Sequence, residues 1–148
     1  KLSALSIAAS NGDYEMMKFI LSINNIDLKK DSLSLFYAID SENADCVKIL
    51  LDSNDVDINT LNRTKETPLL HACNLLDNKN TIEIIKLLVN HQGIKLNCRD
   101  KYGRTPLLVA TAYKSIEIVS FLLQTPGVKI NVKEKVFIKK KYNKVNEL

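Results

Sequence analysis

The chain has 148 residues, 45% of them apolar, and a formal net charge of +4. That length can bury a core. No apolar run approaches the roughly 18 residues needed to cross a membrane, so no transmembrane segment is expected, and no secretory signal is visible.

One ordered set of landmarks recurs along the chain. The first unit opens at Ser3 and passes a small Ala8, an acidic Glu15 and the stripe Met16-Met17-Lys18-Phe19-Ile20-Leu21 before reaching Lys29. The second opens at Leu33 and runs through Ala38, Asp45 and Cys46-Val47-Lys48-Ile49-Leu50-Leu51 to Asn59. The third opens at Thr67, followed by Ala72, Glu83, Ile84-Ile85-Lys86-Leu87-Leu88-Val89 and Asn97. The fourth opens at Thr105, followed by Ala110, Glu117, Ile118-Val119-Ser120-Phe121-Leu122-Leu123 and Asn131. The tetrapeptide Thr-Pro-Leu-Leu stands at Thr67–Leu70 and again at Thr105–Leu108.

Each unit predicts two helices of about eight and nine residues, too short to be stable alone. Thr67 and Thr105 are suited to cap the first helix of their units, and Pro68 and Pro106 fall at the first helical position. The alanines let neighbouring helices approach, and Gly12 and Gly103 fit turns. In the second unit Leu33 and Ser34 replace Thr-Pro, so a cap from Ser32 or Ser34 is expected. The unit starts lie 30, 34 and 38 residues apart. The short interval predicts a stunted finger ahead of Leu33. The long one predicts four extra residues within 74–81, enlarging the turn between the two helices of the third unit.

These landmarks resemble the ankyrin repeat, whose helical half usually reads Thr-Pro-Leu-His-x-Ala. The resemblance covers roughly residues 3–131. It implies an all-α repeat fold, an α-solenoid of stacked helix-turn-helix units with short β-hairpin loops. The units fall near 1–29, 30–61, 62–99 and 100–131, with a basic extension over 132–148. Tetratricopeptide arrays share a 34-residue period but lack the Thr-Pro-Leu helix start and the hairpin closed by Asn.

The chemistry of the residue types points away from catalysis. His71 and His91 are the only histidines, and no cluster with metal-ligand spacing surrounds them. His71 lies one place after the usual ankyrin His, and a packing or solvent-facing role is expected for it. Glu15, Asp45, Glu83 and Glu117 form a column, but a carboxylate at a helix start favours the helix dipole. The four glycines stand singly, so no phosphate-cradling loop exists. No nucleophile–base pair has supporting local sequence. No enzyme, metal or cofactor is expected. Cys46, Cys73 and Cys98 are odd in number and read as free thiols, which suits an intracellular, cytoplasmic location. Asn62-Arg63-Thr64 is a chance glycosylation sequon in that setting. The chain lacks an initiating Met and opens inside a repeat, so a monomeric fragment of a larger protein is expected.

The resemblance implies a protein-interaction scaffold that binds through its finger tips and the exposed side of its first helices. Carried over position by position, the fourth unit offers Arg99, Lys101, Tyr102, Arg104 and Ala112. The third offers Leu61, Arg63, Thr64, Glu66 and Asn74. The second offers Lys30 and Asp40, and the first Ser10. Tyr and Arg are common interface hot spots, so the Tyr102 finger with its cations points to a protein partner, acidic or amphipathic in character. An alternative rests on the lysine-rich end, from Lys129 through Lys133, Lys135, Lys139, Lys140, Lys141 and Lys144. Clustered lysine attracts nucleic acid or an anionic membrane. Tyr102 and Tyr142 are too few and too distant to serve as stacking platforms, which disfavours nucleic acid. Val136, Phe137, Ile138, Tyr142 and Val145 form one apolar stripe, predicting a capping helix over 135–147.

Overall fold

A computed structural model gives the fold. It describes residues 2–23, 26–29, 31–53, 55–75, 78–113 and 115–130. The expected capping helix over 135–147, the lysines beyond Lys129, Asn131 and Lys30 lie outside the described residues.

Eight helices follow one another among those residues. They are α1 (Ala4–Ser10), α2 (Tyr14–Ile23), α3 (Ser34–Asp40), α4 (Ala44–Asp52), α5 (Pro68–Asn74), α6 (Lys79–Asn90), α7 (Pro106–Ala112) and α8 (Ile116–Gln124). Odd-numbered helices pack in one layer, α1 on α3, α3 on α5 and α5 on α7. Even-numbered helices form the second layer, α2 on α4, α4 on α6 and α6 on α8. Each short helix therefore gains from tertiary burial the stability that its own length denies it. No β-strand occurs among the described residues, so the expected hairpins are reduced to tight turns.

The core follows the repeat. Leu5, Leu35, Leu69 and Leu107 occupy one position of the four units and are all buried. Ala8, Ala38, Ala72 and Ala110 are also buried, as close helix approach requires. Ser3, Thr67 and Thr105 cap their helices, with the hydroxyl accepting the N–H three residues on. The second helices are capped as well, by Asp13, Asn43, Asn78 and Ser115. The entry to α3 departs from expectation. Its N-cap position is Leu33, which has no capping side chain. The Ser34 hydroxyl is turned instead to the Ser6 hydroxyl at 3.1 Å, and the Ser34 N–H donates to the Asp31 carbonyl. Ser34 lies inside the helix, one place past the N-cap position, and its hydroxyl makes the contact between units.

The irregular spacings resolve differently. Residues 24–33 join α2 to α3, against 53–67 and 91–105 for the two later fingers. In place of a protruding tip, Asp31 accepts hydrogen bonds from the Ser3 and Ser6 hydroxyls, tying the second unit to the first. The extra residues of the third unit fall ahead of the register start of its second helix and not in its finger. They mainly lengthen α6, which runs 12 residues where α8 runs 9, and do not simply enlarge the turn. Asn78 caps this added turn by accepting from the Thr81 N–H. In consequence Glu83 stands beyond the first turn of α6, so the helix-dipole argument holds for Glu15, Asp45 and Glu117 but not for Glu83.

Candidate functional site

The two later fingers are built on one plan by Asn62 and Asp100. These residues occupy the same register position, five places ahead of Thr67 and Thr105. The Asn62 side-chain oxygen accepts from the Thr64 and Glu66 N–H groups, while Asn62 N–H donates to the Glu66 carbonyl. The Asp100 carboxylate accepts from the Tyr102 and Arg104 N–H groups at 2.9 and 2.8 Å, and Asp100 N–H donates to the Arg104 carbonyl. An Asn or Asp side chain that bonds the backbone two residues ahead is a local turn former. Lys65 and Gly103 take the left-handed conformation that closes the two turns, at φ 60° and 75°. Lysine there carries the strain that glycine avoids.

Asp100 also receives Arg104 Nε at 2.7 Å, and its side chain is only 1% exposed. Burial alone would raise its pKa. The Arg104 and Tyr102 backbone N–H groups and the Arg104 guanidinium outweigh that, and hold the carboxyl below its usual range. Arg104 is thereby a structural part of the finger. Arg99 leans the same way, donating from Nη1 to the Gly103 carbonyl at 2.6 Å. Tyr102 is 70% exposed at the tip. The Lys101 ammonium and the Arg104 guanidinium lie 5.0 and 5.1 Å from its ring centroid, within cation–π range.

Three third-unit residues of the expected site are bonded together, Thr64 and Asn74 both reaching Glu66. Glu66 accepts from Asn62 Nδ2, the Thr64 hydroxyl and Asn74 Nδ2. His71, buried to 20% side-chain exposure, then links the third unit to the second: its Nε2 lies 2.6 Å from Asp40 Oδ1. Its Nδ1 lies 3.6 Å from Glu66 Oε2, too far for a hydrogen bond but close enough for charge attraction. The ring meets Phe36 edge-on at 5.5 Å. Burial opposes a charged imidazole, but the Asp40 hydrogen bond and the Asp40 and Glu66 charges prevail and raise the His71 pKa. Burial would likewise raise Glu66, yet the hydrogen bonds from Asn62 and Thr64, with the charge of His71, bring it below the ordinary value.

The structure therefore divides the expected residues into two sets. Thr64, Glu66, Asn74, Asp40 and Arg104 are engaged in internal hydrogen bonds or ion pairs. Arg63, Lys101, Tyr102 and Ala112 are exposed, as are Leu61 and Ser10, while Arg99 is exposed and also bonded to the Gly103 carbonyl. The organising roles of Asn62, Asp100 and His71 were missed in the sequence reading. The shared position of Asn62 and Asp100 in two fingers was the available signal for the first two. His71 offered none, since its partners come from other elements.

No group of three or more His, Cys, Asp or Glu suited to a metal ion exists among the described residues. Burial pushes the Cys73 thiol up to about 12. Cys46 and Cys98 are raised as well, by burial first, with Asp45 and Asp13 adding to the effect at Cys46. A thiol held protonated is a poor nucleophile. No helix among the described residues is long and apolar enough to cross a membrane.

Comparison with known proteins agrees with this architecture. The family model for "Ankyrin repeats (3 copies)" matches residues 1–62 and 35–134. The ankyrin repeat protein YahD of Escherichia coli (strain K12) is 31% identical over 113 residues, which covers 74% of this chain and 56% of YahD. An ankyrin repeat domain from Acinetobacter baumannii AYE superimposes with a TM-score of 0.73 at 26% identity, over 86% of this chain and 63% of that one. The ankyrin repeat protein EF0377 gives a TM-score of 0.74 at 29% identity, over 82% of this chain and 63% of that one. This chain thus spans a little more than half of YahD and less than two thirds of either structure. Ankyrin repeats are in general protein-interaction modules, not enzymes. With its fourfold register, its two helical layers and these matches, the chain belongs to the ankyrin repeat family.

Proposed function

We propose that this chain binds a protein partner through the finger of its fourth unit, with support from the third. The observation that carries the reading is Tyr102, an aromatic ring 70% exposed on a turn held by the buried Asp100 carboxylate. An exposed aromatic on a preorganised loop loses little entropy on docking, and Tyr is favoured in interface hot spots. Arg63, Arg99 and Lys101 add positive charge around the two fingers, which suits an acidic or amphipathic segment. Ala112 is small and exposed at the end of α7, the helix that follows the fourth finger. Thr64, Glu66, Asn74 and Arg104 support the site by fixing its shape.

The test uses Tyr102→Ala combined with Lys101→Glu, which spares the Arg104–Asp100 pair. The immobilised 148-residue chain should capture a protein from its source cells, and the double variant should lose it. A Lys101→Glu variant alone should weaken capture more at low salt than at high, because exposed charge is screened over roughly 10 Å at 0.1 M. If the double variant captures normally while deletion of residues 132–148 abolishes capture, the basic end is the site. Binding to nucleic acid or an anionic surface then replaces this reading.

A further inference from the structure

Register comparison separates the first unit from the three that follow. Met16 occupies the place that the later units give to Cys46, Ile84 and Ile118. Those three are at most 1% exposed, whereas Met16 is 47% exposed. Ala4 is exposed where Ser34, Pro68 and Pro106 are buried. Ile20 is only half-buried where Leu50, Leu88 and Leu122 are buried. Ile7 is 50% exposed at the position where Tyr37 and His71 are half-buried and Val109 is fully enclosed.

What covers these positions elsewhere follows from the stacking. Each of α4, α6 and α8 packs on the even-numbered helix before it. α2 is followed by α4 and still leaves Met16 exposed, so a following unit does not cover this position. The cover comes from the preceding unit, and α2 is the one even-numbered helix among the described residues without one. Leu2, Phe19 and Ile23 are exposed as well, so both helices of the first unit carry exposed apolar side chains. Terminal units of such arrays normally present a polar outer face, because an uncovered stacking surface is an aggregation liability.

We propose that the face formed by Ala4, Ile7, Met16 and Ile20 is a stacking surface, and that its occupant is a further helix-turn-helix repeat of the same polypeptide ahead of Ser3. The interface between successive units occurs three times in this chain, and each instance places a helix pair over these positions. A flexible peptide or an unrelated surface has no such precedent in the molecule. The occupant's facing side chains are apolar, like those that α4 and α6 present to the unit after them.

Methionine oxidation tests this directly, since Met16 and the fully buried Met17 are adjacent and report the same helix. Dilute peroxide, read by peptide mass spectrometry, should oxidise Met16 of the 148-residue chain many-fold faster than Met17. In the natural polypeptide Met16 should slow to the rate of Met17, and deleting the 33 or so residues ahead of Ser3 should restore fast oxidation. Equal, fast oxidation of Met16 in the natural polypeptide and the 148-residue chain would overturn the proposal. So would protection of Met16 that survives the deletion, which assigns the face to a different partner. Protection of Met16 in the 148-residue chain that grows with its concentration would assign the face to a second copy, again against the proposal.

Discussion

Asn59 of the second unit reaches into the third, where its Nδ2 donates to the Gly93 carbonyl at 2.9 Å. Its Oδ1 accepts from the Lys95 N–H at 2.9 Å, so one amide satisfies a donor and an acceptor of the next loop. Asn97 repeats the arrangement one unit later, with the Gly127 carbonyl at 2.9 Å and the Lys129 N–H at 2.8 Å. The asparagine that closes the second and third units is thus a clamp between successive loops.

Replacing Asn59 or Asn97 with Ala should destabilise the chain by about 1–2 kcal/mol, the worth of two partly exposed hydrogen bonds. Asp at either site keeps the acceptor but sets a negative charge against a glycine carbonyl, so it should not restore stability. Urea unfolding of the three proteins decides the matter. Asp equal to Asn would show that only the acceptor counts.

Asp100 is the carboxylate on which the fourth finger depends. Asp100→Ala should cost about 2–3 kcal/mol by leaving charged and backbone donors without their acceptor, and Asp100→Asn should cost less. Because its folded pKa is lowered, its contribution is complete above the unfolded value of about 3.9 and fades as pH falls through the folded value. Acid unfolding of wild type and Asp100→Asn should therefore converge at low pH. Parallel curves throughout would contradict the assignment.

His71 gives the opposite dependence. Its folded pKa is raised by Asp40 and Glu66, so its contribution is complete below the unfolded value of about 6.5 and fades as pH rises through the folded value. An NMR titration should place His71 above His71 in the Asp40→Ala variant. The stability lost in that variant should be larger at about pH 6 than at about pH 8.5. A loss independent of pH would show that packing, and not charge, joins the two units here.

Core and surface of the fourth unit should respond differently to truncation. Leu107, Ile118 and Leu122 are buried, and trimming any of them to Ala should cost about 2–5 kcal/mol through lost burial and the cavity left behind. Lys101→Ala should change stability by less than about 0.5 kcal/mol. Arg104→Ala belongs between these limits because it strips Asp100 of its guanidinium partner. Thermal melts that put Arg104→Ala level with Lys101→Ala would mean the pair is too well solvated to matter.

The repeat architecture was legible in the sequence because each landmark acts locally or recurs. Ser3, Thr67 and Thr105 cap helices that start one residue later, and the recurring leucines and alanines are buried in all four units, where helices of neighbouring units pack. Periodicity supplies both sides of each such interface at once. Tertiary structure alone decided the rest, because those choices depend on groups brought together from different units. Ser34 gave up a cap for Ser6, and added residues became a helical turn on α6 once Asn78 was there to cap it. His71 became a link between units only because packing set it against Asp40 and Glu66. The same holds for the expected site. Tyr102 and Arg104 look equivalent as polar tip residues, and a buried carboxylate two to four residues away leaves one exposed at the tip and makes the other a brace. Sequence specifies which groups are present, while burial and distance determine which of them remain available to a partner.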